Sequence, residues 1–273
     1  MLIDLHTHSS ESDGTQRPAE VIASAAAAGL DVIALTDHDT TGGWAEAAAA
    51  AERLGLHLVP GMEVSCEVDG VSVHVLSYLH DPTSPLLLAE TVRARESREL
   101  RARRIVELLS ADVPLTWEHV AAQVHDGATI GRPHIADALV ALGLAVDRPD
   151  AFAGLLSARG PYYVRHYAPD AVEAVRLVVA AGGVPVMAHP LARERGRVVP
   201  DAVIEAMADA GLAGLEVEHR DNAPDDRAHL VALARRLGLF TTGSSDYHGE
   251  GKPNRLGENS TAPEVLDEIL RSA

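Results

Sequence analysis

The chain has 273 residues and a formal charge of −17 at neutral pH, from 40 acidic and 23 basic residues. That length accommodates one large α/β domain, alone or with an insertion, and that charge disfavours non-specific binding to duplex DNA. The single cysteine, Cys66, excludes an intrachain disulfide framework. No apolar run approaches the ~18 residues of a membrane span and no leader pattern precedes the first strand, so a cytoplasmic protein without membrane contact is expected.

The apolar run Met1-Leu2-Ile3 opens a strand that ends on His6-Thr7-His8. Residues i and i+2 of a strand point to the same side, so both imidazoles face one point, as a metal site requires. Asp13, just before Gly14, lies where a loop turns a carboxylate back toward them. Pro18 to Ala28 reads as an Ala-rich helix stopped by Gly29. Val32-Ile33-Ala34-Leu35 is a short buried strand running into Thr36-Asp37-His38-Asp39. A second helix over Trp44 to Leu54 leads to a strand at Leu56 to Pro60, followed by Gly61-Met62-Glu63. Asp69-Gly70 is a turn signal between Glu63-Val64-Ser65-Cys66 and Val71 to Leu76, which makes that pair a candidate hairpin.

From about Pro82 to Tyr167 the pattern is mainly helical, without a clear buried strand. Alternation resumes with a helix at Pro169 to Ala181, a strand at Val184 to Ala188 and His189-Pro190. A helix at Asp201 to Ala210, the strand Leu215-Glu216-Val217 and a helix at Asp225 to Leu237 follow. The chain closes with Phe240 to Gly243, Ser244-Ser245-Asp246-Tyr247-His248 and a helix at Pro263 to Leu270. Strands mostly separated by helices predict a parallel α/β sheet with right-handed crossovers. A barrel accounts for the polar clusters better than an open sheet, because its strand ends converge on one mouth. Residues 1–81 and 169–273 would form the barrel, and 82–168 a helical insertion capping the mouth.

His6, His8, Asp13, His38, Glu63, His74, His189, Asp246 and His248 are the candidate metal ligands, all but His74 at or just past a predicted strand end. Their chemistry suits two or three divalent transition ions such as Mn, Fe or Zn. These motifs resemble the PHP (polymerase and histidinol phosphatase) metal-dependent phosphoesterases, in the order His6-Thr7-His8, Thr36-Asp37-His38, Glu63, His74, His189-Pro190 and Asp246-Tyr247-His248. The resemblance implies a distorted (β/α)7 barrel with a trinuclear site. One ion would be held by His6, His8, Glu63 and Asp246, the second by Glu63, His74 and His189, the third by Asp13, His38 and His248. A hydroxide bridging such ions would attack the substrate phosphate.

Thr129 to Ala136 narrows the resemblance to the stand-alone subgroup acting on nucleotides, including 3′,5′-nucleotide bisphosphate phosphatases and a 5′→3′ exoribonuclease. It implies that Glu63 and Asp246, with Arg132 and His134, serve catalysis, and that Arg132 and His134 contact substrate; His219, which follows the strand at Leu215 to Val217, is expected to face the mouth and contact substrate as well. The expected partner is a small phosphorylated compound, a nucleotide or short single-stranded RNA. The rivals are a histidinol-phosphate phosphatase and a metal-bound module serving a polymerase. Arg93, Arg95, Arg98, Arg101, Arg103 and Arg104 read as a solvated helix face, or else a rail for an oligonucleotide. Asp37 and Asp39 are expected to orient His38.

Overall fold

The computed structural model describes residues 1–125 and 127–272. Seven strands form one sheet in chain order: β1 (Ile3–Asp4), β2 (Val32–Leu35), β3 (His57–Val68), β4 (Val71–Tyr78), β5 (Val184–Met187), β6 (Gly214–Glu218) and β7 (Phe240–Gly243). A parallel bridge between Thr7 and Tyr247 brings the ends of β1 and β7 together, and the His8 N–H donates to the Tyr247 carbonyl at 2.8 Å. The result is a nearly closed α/β barrel, as predicted.

The sheet is not all parallel. The predicted strand at Leu56 to Pro60 and the segment from Glu63 to Cys66 are one continuous strand, β3, of 12 residues. Its first part pairs parallel with β2 and its second part antiparallel with β4. Asp69 and Gly70 join them with φ of 50° and 70°, the two left-handed positions of a tight hairpin turn. Because the hairpin reverses direction, β4 is antiparallel to β5 as well.

Strand alternation sorts the residues between two environments. Val32, Ala34, Val59, Leu76, Tyr78, Val184 and Val186 share one apolar cluster with Ile3 and Leu5, closed by Leu266 and Ile269 of helix α10 (Pro263–Ser272). Ile33 and Leu35 instead pack under α1 (Pro18–Ala27) and α2 (Trp44–Leu54). Val73, Val75 and Met187 pack toward the later helices α7 (Ala171–Ala180), α8 (Asp201–Asp209) and α9 (Pro224–Leu237). Glu63 has the parity of Val59, and His74 that of Leu76 and Tyr78. Both functional side chains therefore stand on the lumen side, above an apolar layer.

Between β4 and α7 come α3 (Pro85–Leu109), α4 (Trp117–Ala121), α5 (Arg132–Ala141) and α6 (Arg148–Ala153). They enclose an apolar cluster of their own, with Ile105, Leu109, Leu115, Ile135 and Leu139 fully buried. Polar contacts tie these helices to the loop after β1: the Thr129 N–H donates to the Glu11 carbonyl and Arg148 Nη1 to the Asp13 carbonyl, each at 2.8 Å. No helix among the described residues is long and apolar enough to cross a membrane.

The fully buried Tyr78 donates its hydroxyl to the Leu5 carbonyl at 3.0 Å, one residue before His6. Tyr78→Phe leaves that carbonyl without its partner and should cost about 1 kcal/mol, read as a Tm lower by about 2–3 °C. An unchanged Tm would show that the hydrogen bond contributes nothing to this layer.

Candidate metal centre

Local geometry explains why the donors converge. His6 and His8 extend from β1 with both side chains fully buried, and their Nε2 atoms face each other at 3.1 Å. Glu63 Oε2 lies 3.2 Å from His6 Nε2, 3.1 Å from His8 Nε2 and 3.1 Å from His38 Nδ1. Its other oxygen, Oε1, is 2.6 Å from His74 Nδ1 and 3.2 Å from His189 Nε2. Asp246 Oδ1 approaches His6, His8 and His248 at 3.4 to 3.5 Å. Asp13 reaches His248 Nε2 at 3.2 Å and His38 Nε2 at 3.8 Å. All nine predicted donors thus meet in one cluster.

The donors fall into four overlapping groups: His6, His8 and Asp246; His6, Glu63 and His189; His38, Glu63 and His74; and His8, Asp13, His38 and His248. Relative to the expected partition, His8 also joins the Asp13 group and His38 also joins Glu63. Two observations fit this donor set to cations. The buried His38 Nδ1 and His248 Nε2, though 3.1 and 3.2 Å from carboxylate oxygens of Glu63 and Asp13, make no aligned hydrogen bond among the described residues. In addition, histidine nitrogens and carboxylate oxygens are what borderline divalent ions take.

The surrounding residues aim these donors, and several escaped the sequence reading. Glu216 on β6 is fully buried, 2.9 Å from His6 Nδ1, and accepts the His189 N–H at 2.8 Å. The signal was a carboxylate inside an otherwise apolar strand. Asp4 takes the Ser245 N–H at 2.9 Å, steadying the loop that carries Asp246. Asp246 Oδ2, the oxygen not facing His6, His8 and His248, accepts from Arg195 at 2.6 Å and Lys252 at 2.9 Å.

Other expectations need correction. Asp37 and Asp39 do not orient His38. Asp37 accepts from Ser9 and from the Ser12 hydroxyl at 2.6 Å, and Ser12 Oγ lies 3.4 Å from His8 Nδ1. Asp39 accepts the Ser65 N–H and pairs with Arg98. Arg132 and His134 do not act as a pair. Arg132 lines a cavity of about 230 Å³ with His74, His189, Arg195 and Arg197. His134 accepts the Gly131 N–H at the start of α5 and lines a different cavity with Asp137 and Arg148. His219 is fully buried; its Nδ1 accepts the Asp221 N–H, and its Nε2 lies 3.5 Å from Asp246 Oδ2. It touches the donor cluster and does not line the Arg132 cavity. The arginines of α3 are not one solvated face, since Arg98 and Arg101 turn inward.

The electrostatics are those of a cage for positive charge. Burial would pull the His6 imidazole down, yet Glu216, Glu63 and Asp246 raise it well above its ordinary range. Burial likewise opposes protonation of His8, but Asp246 and Glu63 lift it to about 9. His189 is pushed down to about 3 by burial and by Arg195, and His248 to about 4 by burial and by Lys252. Burial would raise Glu63, but the histidines around it hold it well below the usual carboxylate range.

A PHP domain model matches residues 4–135, and the chain is 37% identical to the 3′,5′-nucleoside bisphosphate phosphatase of Chromobacterium violaceum over 98% of this chain and 95% of the relative. The chain belongs to the PHP family. A 5′-3′ exoribonuclease of Haemophilus influenzae is 33% identical to this PHP protein, over 98% of this chain and 96% of the relative. A Bifidobacterium adolescentis structure assigned as a metal-dependent phosphoesterase matches with a TM-score of 0.97 at 45% identity, covering 99% of this chain and 96% of that one. This PHP protein is accordingly a metal-dependent phosphoesterase.

Two outcomes are expected from the cage. A divalent ion needs neutral imidazoles, so loading ion-free protein at pH 7.5 must displace the proton that His8 carries up to about 9. Calorimetry in buffers of different ionisation enthalpy should show proton release, and metal affinity should rise with pH until about 9. Loading without proton release would contradict the assignment. Glu63→Gln keeps volume but loses the charge that both oxygens bring to five imidazoles. Bound metal should fall by at least one ion per chain and kcat on the order of a hundredfold or more, read by elemental analysis and phosphate release. Unchanged stoichiometry would place Glu63 outside the ligand set.

Proposed function

We propose that this phosphoesterase hydrolyses phosphate from nucleotides, the substrate being a 3′,5′-bisphosphonucleotide or a 5′-phosphorylated nucleotide or short RNA. The observation that carries the chemistry is Glu63, whose two oxygens each lie within 3.2 Å of at least two imidazole nitrogens. In this reading His6, His8, Glu63 and Asp246 hold one ion, Glu63, His74 and His189 a second, and Asp13, His38 and His248 a third. Such ions, when bound, supply Lewis acidity toward phosphoryl oxygens and lower the pKa of the attacking water.

The chain's own residues do the rest. Glu216 accepts from His6 Nδ1–H and so leaves the Nε2 lone pair facing the cluster. Asp37, through Ser12, supports the His8 ring in the same way. Arg195 and Lys252 hold Asp246 Oδ2, which keeps Oδ1 turned toward the histidines. Residues 82–168 act as the cap, bringing Arg132 to the cavity beside His74 and His189. Planar guanidinium groups there suit phosphate oxygens and the charge that builds on them during transfer. The nucleotide is supported by the relatives, a nucleoside bisphosphate phosphatase and an exoribonuclease that match over nearly the whole chain.

The test is phosphate or nucleotide release by the metal-loaded protein from adenosine 3′,5′-bisphosphate, AMP, a 5′-phosphorylated oligoribonucleotide and histidinol phosphate. The highest kcat/KM is expected on a nucleotide substrate. Preference for histidinol phosphate would overturn the substrate class, and hydrolysis of none of the four would overturn the reading itself.

A further inference from the structure

Three carboxylates enter the donor cage, and each needs a fixed backbone to aim it. Glu63 stands in the ladder between β3 and β4. Asp246 follows β7 and has Arg195 and Lys252 on one of its oxygens. Asp13 belongs to no strand. It lies on the loop after β1, whose turn bonds, from the Ser12 and Gly14 N–H groups to the Ser9 carbonyl at 3.1 and 2.9 Å, are local. The Asp13 carbonyl is held from far along the chain: Arg148, 135 positions away, donates to it from Nη1 at 2.8 Å.

Arg148 is itself firmly placed. Its Nε and Nη2 donate to the two carboxylate oxygens of Asp137, each at 2.6 Å, a bidentate grip that fixes the guanidinium plane. Arg148 opens α6 and Asp137 lies on α5, so the fork belongs to the helices between β4 and α7. The Arg148 side chain is only 10% exposed. The same guanidinium lies against Gly251, where any Cβ would overlap its Nη1 and Cζ. The Gly251 N–H donates to the His248 carbonyl at 3.3 Å, and that carbonyl also accepts the Thr15 N–H at 3.1 Å. Arg148 therefore touches both loops whose side chains, Asp13 and His248, meet 3.2 Å apart in the cage. One rigid planar group with contacts on three sides does this; a flexible ammonium does not.

We propose that Arg148 is a positioning residue that locks the Asp13 loop to α5 and α6, so that seating of these helices and loading of the ion at Asp13, His38 and His248 form one coupled equilibrium. The proposal rests on the three-ion reading above and deepens it. That ion needs the Asp13 loop in this conformation, and Arg148 holds the loop only while its own helix is in place. By reciprocity the ion steadies α6 as much as α6 steadies the ion. The donors assigned to the other two ions receive no hydrogen bond from Arg148 among the described residues, so the coupling is specific to one ion.

The test reads metal and helix directly, without catalysis. Mn(II) is titrated into chelator-treated wild type, Asp13→Ala, Arg148→Met, Arg148→Lys and a control, Arg176→Gln, in an exposed pair on α7, with free ion counted by electron paramagnetic resonance. Asp13→Ala should lose one ion. Arg148→Met should bind one ion roughly ten- to a hundredfold more weakly, the usual effect of removing support behind a ligand, and the others as wild type does. Arg148→Lys keeps the charge beside Asp137 but cannot reach both partners; it should weaken the same site by less, and it carries the test alone if Arg148→Met does not fold. Adding Arg148→Met to Asp13→Ala should weaken the remaining sites no further. Saturating Mn(II) should slow amide hydrogen exchange in α6 of wild type and Arg176→Gln, but not of Arg148→Met or Asp13→Ala. Wild-type affinity at every site of Arg148→Met and Arg148→Lys would overturn the proposal. Equal weakening at all sites, the mark of a merely structural residue, would overturn it too, as would full metal-induced protection of α6 in Arg148→Met. If Asp13→Ala costs no ion, the three-ion reading fails and the coupling with it; if Asp13→Ala costs one but neither Arg148 variant weakens one, only the coupling fails.

Discussion

A single buried carboxylate sets the terms for this molecule. Glu63 is 1% exposed and lies within 3.2 Å of nitrogens from five histidines on four parts of the chain. Removing a carboxylate and several imidazoles from water is tolerable only if each finds opposite charge or a hydrogen bond. The barrel meets that demand by bringing strand ends to one mouth. The mixed sheet is part of the same solution. Had β3 stopped at Pro60, Glu63 would sit on a loop. Continued as half of a hairpin, the strand holds Glu63 and His74 on one face, with both backbones hydrogen-bonded in a ladder.

Strain and support are concentrated around that carboxylate. Asp39, His189 and Asp246 have φ of 54°, 29° and 55°, in the left-handed region that side chains avoid. Each is held by buried polar partners. Asp39 accepts the Ser65 N–H and meets Arg98. The His189 N–H donates to Glu216. The residue before Asp246 is fastened by Asp4 and by Asn254, whose amide donates to the Ser245 carbonyl at 2.6 Å. The backbone thus gives up local comfort to aim side chains, and the apolar layer of Leu5, Val59, Leu76 and Tyr78 beneath supplies stability.

The helices between β4 and α7 add inward-turned arginines carried beside a separate apolar core. Arg98 couples the two parts directly, because its partners Asp39 and Ser65 follow β2 and lie on β3. The positive charge they bring lies near a cluster built from carboxylates and imidazoles.

Much of this was legible along the chain, for a local reason. Side-chain direction in a strand repeats every two residues, and a strand's polar residues beyond an apolar run mark its exposed end. His6-x-His8, His38, His189 and Asp246-x-His248 could therefore be placed at a barrel mouth from spacing alone, and Asp69-Gly70 announced the hairpin. What only the folded chain decided were relations between distant residues. That Glu216 rather than another carboxylate backs His6, 210 positions away, depends on which strands become neighbours. That Asp37 serves His8 through Ser12 depends on how the loop after β1 folds over β2. Arg98 and Arg101 were indistinguishable in sequence from Arg103 and Arg104, because all four share one helix of mixed charge. The helix's rotation against the barrel, set by packing of Ala94, Ala102, Ile105 and Leu109, turns the first pair inward and leaves the second in solvent.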